Sequence, residues 1–230
     1  MRLVTSTKIL LCLILMFTFP MSAYAIPTIT CHCFTDRSYD AAHPASADAY
    51  FLATTQNSFF AIVFNTDKKT IVMKKQQGTS PDDLWIAYWV ASKSGTAPNS
   101  LLQAKLKSDT WKNVIMPLRL STKLLGIRFA NALNANVPTD RLSEAVVDEL
   151  FLKDKLLGER DLNALRKAGA TNQELIIATV IASKTRQPAK LLYLEVKTGS
   201  KTWGSLLSGA KVDPKNMQQE IASILKLHQQ

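Results

Sequence analysis

Three cysteines and three histidines are all that the 230 residues carry. So few cysteines exclude the dense disulfide framework of small secreted scaffolds, and the fold has to stand on its apolar core. No C-x-x-C-H occurs, which excludes haem c attachment. The histidines are His32, His43 and His228. The last lies near the C-terminus and the first two precede the bulk of the chain, so a histidine-based catalytic triad has nothing to be built from. Glycine is scarce, at eight residues. Neither G-x-G-x-x-G nor a Walker loop is present, and H-E-x-x-H and G-x-S-x-G are absent too. Acidic side chains number 18 against 28 Lys and Arg, a formal net charge of +10. After residue 25 no stretch is apolar enough to span a bilayer, which takes about 20 residues.

The chain opens with Arg2 and Lys8, followed by the uncharged run Ile9 to Phe19. That run is too short for a membrane-spanning helix, and Pro20 interrupts it. Ala23-Tyr24-Ala25 then places small residues at the −3 and −1 positions of a cleavage site. A positive start, an apolar core and an A-x-A exit read as a secretory signal peptide over residues 1–25. The working protein is thus expected to begin at Ile26 and to act in the periplasm or outside the cell, not as an integral membrane protein. Cleavage removes Cys12, Arg2 and Lys8, leaving a net charge of +8 over 205 residues.

Alanine, leucine, lysine and glutamine dominate the remainder, which favours packed helices over strands or disorder. Internal repetition organises it. Gly78–Ala87 lies over Gly169–Ala178, and Val90–Ser94 over Ile181–Thr185, at an offset of 91 residues. A small insertion then carries Thr110-Trp111 onto Thr202-Trp203 at an offset of 92, and Arg119-Leu120 onto Lys211-Val212. We read a tandem duplication: an N-terminal segment 26–47, one copy over 48–138 and a second over 139–230. Each copy of about 90 residues is expected to hold about six short helices, packed as a pseudo-symmetric or superhelical all-α array.

The punctuation supports helices. Ser80 and Thr171 stand at N-cap positions with an acid three residues on, at Asp83 and Glu174, and the second of these is a capping box. Pro98 and Pro188 suit helix starts. Ser121 and Asp213 are expected to cap the last helix of each copy. Early helices are expected over roughly 47–64 and 140–157. The segment 191–196 has strand-like residue types, but its counterpart 101–106 is made of helix formers, so both are read as helix. The repeated Trp111 and Trp203 could line ligand pockets. Large core anchors where short helices cross are the favoured reading.

One segment carries distinctive chemistry: Cys31-His32-Cys33. An oxidising compartment would favour a Cys31–Cys33 disulfide, although so small a ring is strained and redox-labile. Thiolates and imidazole also suit zinc or copper, with His43 as a fourth ligand, though the spacing matches no common zinc module. A structural or interchain role is the third reading.

A stretch between Asn99 and Pro138 holds Lys105, Lys107, Lys112, Arg119, Lys123 and Arg128 against the single acid Asp109. Such a surface suits an anionic partner. Nucleic acid is disfavoured: export removes the chain from the chromosome, and no helix shows the Arg/Asn/Gln cluster that reads base edges. The expectation is a non-enzymatic, exported helical protein that binds or scaffolds an anionic envelope component or another envelope protein. The alternative is a periplasmic thiol-redox or metal-binding protein acting through Cys31, His32 and Cys33.

Overall fold

The computed structural model describes residues 34–228. Among these residues it is all-helical, with thirteen α-helices and no strand. Seven helices lie before residue 138: α1 (Asp48–Val63), α2 (Lys68–Gln76), α3 (Pro81–Ser94), α4 (Pro98–Leu106), α5 (Trp111–Ile115), α6 (Thr122–Leu125) and α7 (Ile127–Asn134). Six follow: α8 (Thr139–Lys153), α9 (Glu159–Lys167), α10 (Asn172–Thr185), α11 (Ala189–Lys197), α12 (Trp203–Gly209) and α13 (Met217–His228). Single 3-10 turns, Met116–Leu118 and Pro214–Asn216, follow α5 and precede α13.

Local chemistry sets most of the helix starts. Ser80 Oγ accepts from Asp82 N at 3.2 Å and Pro81 opens α3. Thr171 Oγ1 accepts from Glu174 N at 3.3 Å while Glu174 Oε2 accepts from Thr171 N at 2.9 Å, a closed capping box on α10. Thr202 closes a like box with Ser205 on the tryptophan helix α12, while on α5 Thr110 only accepts from Asn113 N. Pro98 is the first residue of α4, whereas Pro188 is the N-cap of α11.

Two expectations are corrected here. Ser121 does not cap the last helix before residue 138. It caps α6, a single turn that stops at Gly126, where φ is +87° and ψ 146°. An L side chain rarely adopts that backbone, so the chain leaves the helix there and starts again as α7. Likewise Asp213 caps the 3-10 turn Pro214–Asn216, which runs on into α13.

The packing is reciprocal. Helix α1 lies against α10 and α13, and α8 lies against α3 and α7, so each of these long helices is held largely by helices from the other side of residue 138. The buried side chains form one continuous cluster. Phe59 of α1 meets Phe151 of α8 with ring centroids 5.5 Å apart, and Phe60 meets Trp85 of α3 at 4.6 Å. Offset and tilted aromatic pairs of this kind add about 1 kcal/mol each to their area burial. Trp89 Nε1 donates to Leu125 O at 3.0 Å and ties α6 to α3.

Residues 34–47 form a strap rather than a helix. Phe34 packs edge-on against Tyr50, and Thr202 Oγ1 donates to Pro44 O at 2.9 Å. Gly204 makes room for the strap: a Cβ there would stand 2.9 Å from both Phe51 and Tyr39. Asp48 completes the junction, its carboxylate accepting from Trp203 N at 3.0 Å and Gly204 N at 2.8 Å. It thereby satisfies two free amides at the start of α12.

Candidate functional site: a buried polar seam and a basic edge

Helix α1 buries five consecutive polar residues, Thr54 to Ser58. Helices on several sides enclose it, so these side chains, which run round more than a full turn, cannot reach water and draw their partners from inside. Thr55 Oγ1 donates back to Phe51 O at 2.7 Å, Lys68 Nζ donates to Thr54 Oγ1 at 2.7 Å, and Gln173 Nε2 donates to Gln56 Oε1 at 3.0 Å. Lys75 Nζ donates to Asn57 Oδ1 at 2.6 Å. Lys75 is only 8% exposed. Burial draws its pKa down to about 8, with the Asp82 carboxylate opposing.

From Asp82 the polar contacts cross between helices. Ser143 Oγ on α8 donates to Asp82 Oδ1 at 2.5 Å, and Asn172 Nδ2 on α10 donates to Ser143 Oγ at 3.3 Å. Arg166 on α9 donates to Asn172 Oδ1 at 2.6 Å, to Ala170 O at 2.9 Å and to Asp148 Oδ1 at 2.9 Å. Arg128 approaches Asp148 at 3.9 Å and pairs with Glu159 at 2.7 Å. Burial raises the pKa of both Asp82 and Asp148, opposed by Ser143 in one case and Arg166 in the other. Glu149 Oε1 accepts from Arg128 N at 2.6 Å and so caps α7.

Chemically, this seam is a set of side chains that largely satisfy one another; Ser58 Oγ is buried without a hydrogen-bond partner among the described residues. The clefts at the surface are separate from it. One of about 170 Å³ lies beside Trp111, Lys112, Pro138 and Thr139. Trp111 itself is 3% exposed and donates Nε1–H to Asp83 Oδ1 at 2.7 Å; Trp203 is 2% exposed. Both are core side chains.

The six cations expected at an anionic-partner surface divide into two groups. Lys105 Nζ donates to Ser108 O at 3.2 Å, Lys112 Nζ to Asn134 O at 2.7 Å, and Arg128 is bound into the seam. Lys107, Arg119 and Lys123 are exposed and, among the described residues, make no ion pair. Arg119 sits at φ +50°, directly after the turn Met116–Leu118.

Cys31, His32 and Cys33 lie outside the described residues, so the disulfide and metal readings attached to them stay as sequence expectations. His43 is exposed and its Nδ1 stands 3.1 Å from Asp40 Oδ2. Among the described residues no group of three or more His, Cys, Asp or Glu side chains converges in a way that could hold a metal ion. The seam residues Asn57, Lys75, Ser143 and Asn172 were not legible as a set, because they come from four helices and none belongs to a motif. Comparison with protein-family models, with curated proteins and with solved structures returned no match.

Proposed function

We propose that this chain is an exported, non-enzymatic protein of the cell envelope, built by duplication of a helical unit, that binds or scaffolds an anionic partner through its basic edge. The observation that carries the binding surface is the contrast in charge pairing. Arg166 is paired with Asp148 and Arg128 with Glu159, whereas Lys107, Arg119 and Lys123 are exposed and, among the described residues, make no ion pair. Charges left uncompensated on one chain segment raise the local concentration of an anionic ligand.

Several recurrences support the duplication. Helices α2, α3 and α4 start 91 residues before α9, α10 and α11. The left-handed residues Gly78 and Gly169, and Gly95 and Arg186, are spaced by the same 91, and Arg119 and Lys211 by 92. The buried pair Lys75–Asn57 reappears 91 residues later as Arg166–Asp148, with a salt bridge in place of a neutral acceptor. The reciprocal seating of α1 and α8 is what a pseudo-twofold pair of units would produce.

Export predicts that protein recovered from the producing cell starts at Ile26 by mass spectrometry; an intact N-terminus in the cytosolic fraction would refute it. The binding reading is tested with the chain lacking residues 1–25 on dextran sulfate and on phosphatidylglycerol vesicles. Binding should weaken as salt rises and as Lys107, Arg119 and Lys123 are replaced by glutamine. Binding indifferent to both salt and these replacements would overturn it.

A further inference from the structure

The basic edge carries a second feature. Between Met116 and Ile127 three large apolar side chains stand in water: Met116 at 55% exposure, Leu124 at 44% and Ile127 at 67%. Arg119 and Lys123 are interleaved with them. No acidic residue occurs from Thr110 through Thr139. The core-facing side of this segment is already supplied by Ile115 and Leu125, which are 2% and 4% exposed. A cleft of about 230 Å³ opens beneath it, lined by Met116, Arg119 and Thr122 over Ile115, Leu125 and Leu133.

The second half of the chain provides an internal control. At the spacing of 92 residues, the buried Ile115 and Leu125 correspond to Leu207 and Met217, which are also apolar and 1% and 0% exposed. The cations Arg119 and Lys123 correspond to Lys211 and Lys215. The three exposed apolar positions correspond instead to Ser208, Asn216 and Gln219. Both segments turn through a left-handed residue, φ +50° at Arg119 and +55° at Lys211; beyond it they differ, the first breaking at Gly126 and the second running from a 3-10 turn into α13. At the matching positions the second half carries polar side chains, so the repeated sequence pattern does not itself call for apolar ones at Met116, Leu124 and Ile127.

We infer that Met116, Leu124 and Ile127, with Arg119 and Lys123 between them, form a docking face for an anionic lipid bilayer. Isolated apolar side chains on short turns suit insertion at the boundary of headgroup and acyl chain. The interleaved cations sit at the depth of the phosphates. The segment carries no acid over thirty residues, and the two acids that neighbouring helices bring to it, Glu149 and Glu159, are both engaged by Arg128, which leaves Arg119 and Lys123 to face a partner of uniformly negative charge. This inference rests on the reading that the chain binds an anionic partner outside the cytoplasm.

The test uses the chain lacking residues 1–25, which retains every described element, in sedimentation with vesicles of phosphatidylglycerol or of phosphatidylcholine, and on dextran sulfate. The decisive variant is Met116→Ser, Leu124→Asn, Ile127→Gln, which copies the second half and leaves the net charge unchanged. Circular dichroism and the unfolding midpoint establish that it folds. The expected result is preference for phosphatidylglycerol, with binding weakened about tenfold or more in the variant and binding to dextran sulfate unchanged. Equal vesicle binding by both proteins overturns the bilayer face while leaving the electrostatic reading in place, as does binding to dextran sulfate alone. Self-association that the variant abolishes, without vesicle binding, overturns it in favour of a second copy. Binding to no anion at all removes both this inference and the reading beneath it.

Discussion

Lys75 offers the sharpest test of the buried seam. Its folded pKa of about 8 lies below the ordinary 10.5 because burial penalises the ammonium. Between those two values the unfolded chain holds more protons than the folded one, so Lys75 makes stability rise with pH. Taking a folded value near 8, the contribution grows by about 1.4 kcal/mol between pH 7 and pH 9 and approaches about 3 kcal/mol above pH 10.5. Lys68 and Lys93 are also lowered by burial and add slopes of the same sign. The assay therefore compares wild type with Lys75→Met, which removes only the one contribution. Urea unfolding is followed by tryptophan fluorescence, since Trp85, Trp89, Trp111 and Trp203 are all buried. At pH 7 the substitution leaves Asn57 Oδ1 without its donor, a cost of about 1–3 kcal/mol, offset by relief of ammonium desolvation. The net change at neutral pH should be small. The difference between the two proteins should grow with pH, wild type gaining about 1.4 kcal/mol relative to the variant by pH 9. Parallel pH dependences over that interval would refute the reasoning, because they would mean that Lys75 keeps its proton as easily in the fold as in water.

Other consequences can be measured in the same way. Gly126→Ala puts a Cβ 2.3 Å from the Glu149 carboxyl at φ +87°; it should cost about 3 kcal/mol, and a loss below about 0.5 kcal/mol would show that the α6–α7 break is not held as described. Arg166→Met strips Asp148 of its nearer cation and leaves only Arg128 at 3.9 Å; breaking such a pair should destabilise by about 3 kcal/mol, and a neutral outcome in thermal unfolding would argue against a coupled seam. Asp48→Ala frees the amides of Trp203 and Gly204; a loss of about 1–2 kcal/mol should come with faster proteolysis within residues 34–47, and unchanged proteolysis would exclude the strap's anchoring role. Residues 48–138 and 139–230 expressed separately should each fail to unfold cooperatively, since α1 relies on α10 and α13 and α8 on α3 and α7. Mixing the two should restore a cooperative transition, and an independently folded half would refute the reciprocal packing.

Local sequence determined much of the secondary structure. Ser80, Thr171, Thr110 and Thr202 start helices because a side-chain oxygen within three residues reaches an amide with no other partner. The strand-like run at 191–196 folded as helix, as its counterpart 101–106 implied. Trp111 and Trp203 took core positions. What sequence could not reach depends on which helices meet. Thr54 to Ser58 are five polar residues in a row, yet they are interior, because α1 is enclosed by α10 and α13 from the far end of the chain. Arg128 and Lys112 read as part of an open basic surface, but Glu159 and the carbonyl of Asn134 engage them across 31 and 22 residues. Gly126 gave no sign of ending a helix until Glu149 was seen capping the next one. Hydrogen bonds that close within a few residues are written in local order. Burial and charge pairing are set by long-range neighbours, and only the folded chain decides them.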